Sequence, residues 1–282
     1  MLRGMVLRVA ACVAVLSLLA WSGQTARAEE QAKAPQGKDE VMKALQALQK
    51  EVTSYTASGK STITMGDRTF EMTLAVVAKA PGKYKETTTS DRAGTQVERV
   101  TTCDGKSVWL PMGQQGQISR IDRAAVAKAL EIKDEDMKNM YLPRDPLDLA
   151  NPLLALNADT VKYSGMAKMG DMDVYVIEGQ SKWPLRQRGE TEPYWPRQKF
   201  MISAKDGLLR SATAYNRDGA EMRVVTYTDI KINPAVEDDV FAVKPSADSA
   251  VEDATQTTID QMKAAKKAAD AAAQKPAAPA AQ

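Results

Sequence analysis

Residues 69–120 read TFEMTLAVVAKAPGKYKETTTSDRAGTQVERVTTCDGKSVWLPMGQQGQISR, and this stretch decides the fold class. It contains four runs rich in Thr, Val and Tyr, at Phe70–Lys79, Lys83–Ser90, Gln96–Cys103 and Ser107–Met112. The separators are turn sequences: Ala80-Pro81-Gly82, Asp91-Arg92-Ala93-Gly94 and Asp104-Gly105. Because such separators close hairpins and the runs lack the apolar spacing of a helix, the stretch predicts an antiparallel β-meander.

Two of these runs alternate apolar and polar residues, so each has one apolar face. The first row consists of Phe70, Met72, Leu74 and Val76. The second consists of Val108, Leu110 and Met112, with Trp109 on the opposite face. Such rows are usually ordinary core, but the chain is also rich in methionine, which suits a lining for irregular apolar ligands.

Residues 1–28 have the features of a secretory signal. Arg3 and Arg8 give a basic start, an apolar stretch follows, and Ala26-Arg27-Ala28 fits a cleavage site. We therefore expect export to the periplasm with cleavage of the signal. Residues 29–37 are predicted to be a mobile polar lead-in.

The net charge, the absence of histidine and the low number of cysteines argue against several classes of function. Removing the three arginines of the signal changes the formal charge from +2 to −1, which argues against nucleic acid as a partner. The sequence contains no histidine, so it has no Ser-His or Cys-His pair and no histidine-ligated metal. Loss of Cys12 leaves Cys103 alone, so no intramolecular disulfide is expected. We expect a monomeric protein that is not integral to the membrane, with no cofactor and no metal.

Three helical stretches are predicted. Asp39–Val52 has an apolar stripe that includes Val41 and Leu45, which predicts a helix packed on the sheet. Asp122 should cap a second helix that runs to Ile132. A third stretch begins at Asp145 and contains the Leu-rich residues 147–156. This last stretch must be buried in a concave surface, either as a permanent core helix or as a lid.

The second half of the chain returns to strands and contains one unusual loop. Strands are predicted at 160–164, 172–177, 199–203, 208–216 and 221–232, and a last strand at Phe241–Lys244. The loop at 183–197 is rich in proline, and it carries aromatic and arginine side chains of the kind found in protein contacts. These are Trp183, Arg186, Arg188, Tyr194, Trp195 and Arg197. A loop held in place by its own tryptophans is an equal alternative. Residues 259–282 are predicted to be an Ala/Lys/Pro-rich tail outside a domain of residues 38–258.

The order of these parts resembles the periplasmic outer-membrane lipoprotein carriers, the LolA-like family, over about Asp39 to Thr255. The resemblance depends on Lys79–Tyr84 after the first long strand and on Val100–Trp109, which is similar to the family's "sDGk.lW" hairpin. It also depends on Asp206–Leu209, Arg217–Gly219 and Asp239–Pro245. It implies a mainly β fold with α-helices, an incomplete antiparallel β-barrel (half-barrel) capped by short helices. Ala80 stands where the family carries an arginine that helps to lock the lid.

The same resemblance implies a non-enzymatic carrier or chaperone that binds the acyl chains of lipoproteins, or another lipid, and delivers them toward the outer membrane. The expected cavity residues come from both apolar rows and from the Leu-rich stretch: Phe70, Met72, Leu74, Val76, Val108, Leu110, Met112, Leu149, Leu153 and Leu154. The alternative is an envelope sensor or protein-interaction module that contacts its partner through the 183–197 loop. No catalytic residues are predicted, because the acidic pairs such as Asp238 and Asp239 cannot share one face of a strand.

Overall fold

The computed structural model describes residues 37–92, 94–111, 116–133, 136, 140–142, 146–182, 196–246 and 248–273. It contains one sheet of twelve strands in the order β12-β6-β5-β4-β3-β2-β1-β11-β10-β9-β8-β7. The strands are β1 (Ser54–Met65), β2 (Arg68–Lys79), β3 (Lys83–Arg92), β4 (Thr95–Asp104), β5 (Ser107–Pro111), β6 (Gln117–Asp122), β7 (Lys162–Met169), β8 (Met172–Gln180), β9 (Arg197–Ser203), β10 (Leu209–Tyr215), β11 (Glu221–Ile232) and β12 (Ala250–Asp253).

The sheet consists of two meanders, β1–β6 and β7–β11, that are joined where β1 pairs with β11. All pairings are antiparallel except that of β12 with β6, and β12 and β7 form the two edges of an open sheet. The predicted meander is therefore confirmed, and so is the fold class, an incomplete antiparallel barrel with short helices.

Three α-helices accompany the sheet: α1 (Lys38–Lys50), α2 (Arg123–Ala129) and α3 (Thr255–Ala273). Helix α1 buries Val41 and Leu45, as its apolar stripe predicted. The side chain of Asp122 caps α2 by accepting a hydrogen bond from the Ala125 backbone N–H at 3.0 Å. Gly207, in the turn between β9 and β10, lies so close to α1 that an added Cβ would be 2.9 Å from the Cβ of Leu48. Its φ of +72° also favours glycine.

The predicted third helix is wrong. Within residues 146–156, which we call the cover segment, only Pro152–Ala155 is helical, and it forms one 3-10 turn. The Asp148 carboxylate accepts the backbone N–H of Ala150, and the Leu149 N–H donates to the hydroxyl of Tyr55. Backbone groups that are bound in this way to side chains are not available for a continuous helix.

The predicted last strand at Phe241–Lys244 is also wrong. Residues Asp238–Phe241 form a 3-10 helix, in which Asp238 pairs with Lys79 and Lys83 and Phe241 is buried. The last strand is instead β12, which adds to the edge of the sheet beside β6. The ion pairs and the burial of Phe241 hold the preceding chain in a turn.

Helix α3 crosses the predicted boundary between domain and tail at residues 258 and 259. Its residues Thr258, Ile259 and Met262 are buried, and the last two pack in a cluster with Val126 of α2. The first turns of the predicted tail thus belong to the packed core. No helix in the described part of the chain has the length and hydropathy needed to cross a bilayer.

Candidate ligand-binding face

One face of the sheet carries an apolar floor beneath α1 and the cover segment; we call it the covered face and its opposite the outer face. Leu74 and Val76 of β2 lie there, directly opposite Gly59 and Ala57 of β1. Leu149 of the cover segment packs in the same buried cluster and has no exposed surface. The structure therefore brings together three of the predicted cavity residues: Leu74, Val76 and Leu149.

The apolar row of β2 continues beyond the buried part. Leu74 and Val76 are buried, Met72 is half-buried, and Phe70 at the far end is 47% exposed. Directly opposite Phe70 lies Ile63 of β1, which is itself half-buried. The floor thus passes from the interior beneath the cover segment to solvent, and Phe70 marks its open end.

The other predicted cavity residues are divided between different environments. Val108 and Leu110 belong to a second buried cluster beneath α2 and α3, and of the described residues only the partly buried Tyr84 packs against both clusters. Leu153 is half-buried and packs against the first cluster, while Leu154 is half-buried. Met112 lies outside the described residues. Among the described residues, the two apolar rows therefore contribute to different buried clusters, and residues of α2 and α3 pack in the second.

The cover segment is attached to the sheet through Tyr55. The hydroxyl of Tyr55 donates to Asp148 Oδ1 at 3.0 Å and accepts the backbone N–H of Leu149 at 3.0 Å. Tyr55 is 4% exposed, and burial, followed by the nearby charge of Asp148, raises the pKa of its hydroxyl well above the usual range. The hydroxyl therefore remains protonated and holds both groups.

Backbone hydrogen bonds fix both ends of the cover segment as well. The Leu209 N–H at the start of β10 donates to the Leu149 carbonyl at 2.9 Å. Beyond β8, the Lys182 N–H donates to the Ala155 carbonyl at 2.8 Å. Between these anchors, Leu153 and Leu154 are only half-buried. The segment is thus held at Leu149 and Ala155, and between them Ala150 and Pro152 are buried as well.

Several polar side chains lie on the covered face, including Ser61 of β1 and Thr88 of β3, and sequence reasoning did not identify three others. They are Glu86 of β3 and Arg223 and Tyr227 of β11, which we call the polar triad. Glu86 lies directly opposite Val76, Tyr227 opposite Gly59 and Arg223 opposite Ile63, so all three occupy the covered face. Arg223 donates from Nε to the hydroxyl of the buried Ser61 at 3.2 Å.

The members of the triad influence one another electrostatically. Burial raises the pKa of Glu86, and the positive charge of Arg223 offsets part of that effect. Burial also raises the pKa of Tyr227, to which the charge of Glu86 contributes. Of the three side chains, Tyr227 is buried, while Glu86 and Arg223 are half-buried.

The position of Tyr227 depends on Gly59. A Cβ at residue 59 would lie 2.9 Å from the Thr226 carbonyl oxygen and 3.1 Å from Cδ1 of Tyr227. The ring therefore lies across Gly59 toward β2. A glycine in the interior of a strand often marks such a close approach, and this was the one signal in the sequence that could have predicted the triad.

Most of the predicted partner-contact loop lies outside the described residues, including Trp183, Arg186, Arg188, Tyr194 and Trp195. Arg197 is described, at the start of β9. Its guanidinium stacks 4.5 Å from the ring centroid of Tyr215, and its Nη1 lies 3.9 Å from Glu178 Oε2. These three side chains occupy the outer face, opposite the floor.

Asp238, one member of the acidic pair Asp238 and Asp239, forms ion pairs with lysine side chains. Asp238 accepts hydrogen bonds from Lys79 and Lys83, which lower its pKa to about 2. Among the residues that the structure describes, no group of three or more acidic or cysteine side chains could hold a metal ion.

Comparison with known proteins gives similarity in fold at low sequence identity. No family model matches the sequence, and no curated protein matches it. Among solved structures, an uncharacterized conserved protein from Thermus thermophilus is similar at 11% identity and a TM-score of 0.48, over 76% of this chain and 98% of that one. A LolA superfamily protein from Nitrosomonas europaea is similar at 11% identity and a TM-score of 0.34, over 72% and 97%. MucB in the MucA/MucB complex of Pseudomonas aeruginosa is similar at 12% identity and a TM-score of 0.37, over 74% and 62%. A LolA superfamily structure is among the molecules that this chain resembles in fold.

Proposed function

We propose that this protein is a non-enzymatic carrier that holds acyl chains, of lipoproteins or of another lipid, between the floor of the covered face and the cover segment. The observation that carries the proposal is the apolar row of β2, which runs from beneath Leu149 to the exposed Phe70. An acyl chain lying along this row would enter at Phe70 and extend toward the cover segment. Burial of each methylene contributes about 0.8 kcal/mol, so a long chain can be held without any charged contact.

The proposal also includes the cellular compartment in which the carrier works, the periplasm. The basic and apolar residues at 1–28 support export, and a carrier of this kind would work in the periplasm as a monomer and deliver its ligand toward the outer membrane. The cover segment would act as the lid, and its half-buried Leu153 and Leu154 would be the first side chains that an incoming chain displaces.

The test is binding of the neutral fluorescent probe N-phenyl-1-naphthylamine to protein purified after export. We expect saturable binding that Met72→Asp weakens at least tenfold, because the new charge lies on the floor near its open end. The matched control is Thr73→Asp, which places the same charge on the exposed outer face of the same strand and should leave binding unchanged. Equal binding by both variants would contradict the assignment of the ligand to this face. Native mass spectrometry of gently purified protein would then identify a co-purifying lipid.

A second candidate function is an envelope sensor or interaction module. The observation in its favour is Arg197, which stacks on the ring of Tyr215 at the end of the 183–195 loop and leaves about half of its side chain exposed. A stacked arginine is typical of protein contacts. Deletion of the whole loop, residues 183–197, should then abolish capture of a partner from envelope extract. An unchanged set of captured proteins would exclude this function for the loop.

A further inference from the structure

The polar triad lies within the apolar floor, and most of its hydrogen-bonding capacity is unused. Tyr227 is 3% exposed, and no described residue hydrogen-bonds its hydroxyl. The carboxylate of Glu86 also has no hydrogen bond to any residue of the described chain. Arg223 uses its Nε toward Ser61, while no described residue accepts a hydrogen bond from its two Nη groups. Glu86 and Arg223 are half-buried, whereas the Tyr227 side chain is buried. A buried polar group is costly without a partner, so the open hydroxyl of Tyr227 indicates a ligand that completes it.

The charges of the triad restrict the head group of that ligand. Glu86 and Arg223 have opposite charges and face the same space, so their charges nearly cancel. An anionic head group would meet the negative charge of Glu86, and a cationic one would meet Arg223. A neutral group that both donates and accepts a hydrogen bond complements the two of them at once.

The arrangement of the strands restricts the head group further. Glu86 comes from β3, whereas Arg223 and Tyr227 come from β11, with β2 and β1 between them. The acceptor and the two donors therefore come from opposite sides of the floor. In a trans secondary amide, the N–H and the C=O point in opposite directions from one rigid plane. An ester lacks the donor, and a hydroxyl group carries both functions on one atom.

We propose that the polar triad selects acyl ligands that carry a neutral secondary amide, with the amide N–H donating to Glu86 and the carbonyl accepting from Tyr227 and Arg223. This inference rests on the proposed function, since it needs an acyl chain on the same floor. In this proposal the polar triad selects the head group of the ligand. The apolar row supplies affinity for the acyl chain but does not distinguish one head group from another.

The experiment measures displacement of N-phenyl-1-naphthylamine by three compounds with the same acyl chain: lauroyl N-methylamide, methyl laurate and laurate. We expect the wild-type protein to bind the amide about tenfold more tightly than the other two, the effect of one or two additional hydrogen bonds. If the probe binds saturably but the three compounds compete equally, the proposed selectivity is wrong while the carrier function stands. If the probe does not bind at all, the carrier function fails, and the selectivity fails with it.

The decisive variant is Tyr227→Phe, which removes one oxygen and keeps the ring on Gly59. It should retain probe binding and lose most of the preference for the amide. Its Tm should be equal to or higher than that of the wild type, because the hydroxyl has no partner within the described residues. A hydroxyl with a merely structural role would give a lower Tm and an unchanged preference, which would overturn the assignment.

The matched control is Tyr215→Phe, the same substitution on the outer face of the neighbouring strand β10. It should leave the ratio of amide to ester binding at the wild-type value. A loss of amide preference in Tyr215→Phe equal to that in Tyr227→Phe would show that the ratio does not report on the covered face, and would also overturn the proposal.

Discussion

The hydroxyl of Tyr55 lies 3.0 Å from Oδ1 of Asp148, and through this contact a side chain near the start of β1 holds the cover segment against the sheet. The same hydroxyl accepts the N–H of Leu149, whose side chain is fully buried on the floor. One oxygen atom therefore fixes both the carboxylate and the backbone of the segment that would have to move when a ligand enters.

Replacing Tyr55 with Phe tests this attachment. Loss of the hydroxyl leaves the Leu149 N–H and the Asp148 carboxylate without this partner, so the free energy of unfolding should fall by about 1–3 kcal/mol. Hydrogen exchange at Leu149 should become faster because the segment opens more often, and the probe should associate more rapidly. Denaturant unfolding and stopped-flow fluorescence measure these effects. The control is Tyr163→Phe, whose ring packs on Tyr175 and whose hydroxyl has no hydrogen bond within the described chain. Equal stability of the two variants would contradict the role of Tyr55.

Glu86 should make stability depend on pH in a defined direction. Burial raises its pKa in the folded state above the ordinary value of 4.5, so its stabilising contribution is fully present below pH 4.5 and is lost as the pH rises through the folded pKa. Glu86→Gln should therefore be more stable than the wild type at pH 7, whereas the difference should be small at pH 4. Urea unfolding at the two pH values measures it. Glu71→Gln, on the exposed outer face of β2, is the control, and a difference for Glu86→Gln that does not change with pH would refute the prediction.

Gly59→Ala should damage the floor without removing a contact. The new Cβ would press on the Thr226 carbonyl and the Tyr227 ring, so the free energy of unfolding should fall by about 1–3 kcal/mol. The hydroxyl of Tyr227 should move at the same time, and any selectivity that depends on it should weaken. Gly37→Ala serves as the control, because nothing lies within 4 Å of a Cβ there and its φ is not positive. If Gly59→Ala unfolds with the same free energy as the wild type, β1 and β11 can move apart at this position with little loss of stability, and the prediction is wrong.

Helix α3 can be tested as part of the core. Ile259→Ala removes a buried side chain from the cluster beneath α2, and the free energy of unfolding should fall by about 2–4 kcal/mol. Thr257→Ala, on the exposed side of the same helix, should change it by less than about 0.5 kcal/mol. Thermal unfolding followed by circular dichroism distinguishes the two. If both variants unfold like the wild type, the helix does not contribute to the core.

Local patterns in the sequence predicted most of the sheet and little of the site. Alternation and turn residues predicted the hairpins of β2–β5 and β8–β11, and Asp122 predicted the cap of α2. Each of these signals acts over a few residues, so it can be read directly from the sequence. The hydrogen bond of Tyr55 with Asp148 joins residues 93 positions apart. Glu86 and Tyr227 lie in different meanders, and only the register of β1 with β11 places them on one face.

The errors have the same origin. Residues 250–253 read AVED, which has no strand pattern of its own; they form β12 because β6 offers a free edge. The Leu-rich stretch at 147–156 predicts a helix by composition, but Asp148 and the hydroxyl of Tyr55 take up its backbone groups. Helix α3 extends into the predicted tail because its few large apolar residues, Ile259 and Met262, stand among threonine, glutamine, alanine and lysine.

The pairing of β1 with β11 also determines when the molecule can fold. Thr53 donates its backbone N–H to Asn233 across a separation of 180 residues, so the centre of the sheet closes a very long loop. Such non-local contacts slow folding, since the entropy of loop closure is lost before the strands gain their pairing. Until β11 arrives, β1 presents a twelve-residue edge that another chain could join. A nascent or truncated chain that ends before Glu221 should therefore aggregate through β1, and a holdase that shields this strand would be needed until synthesis is complete.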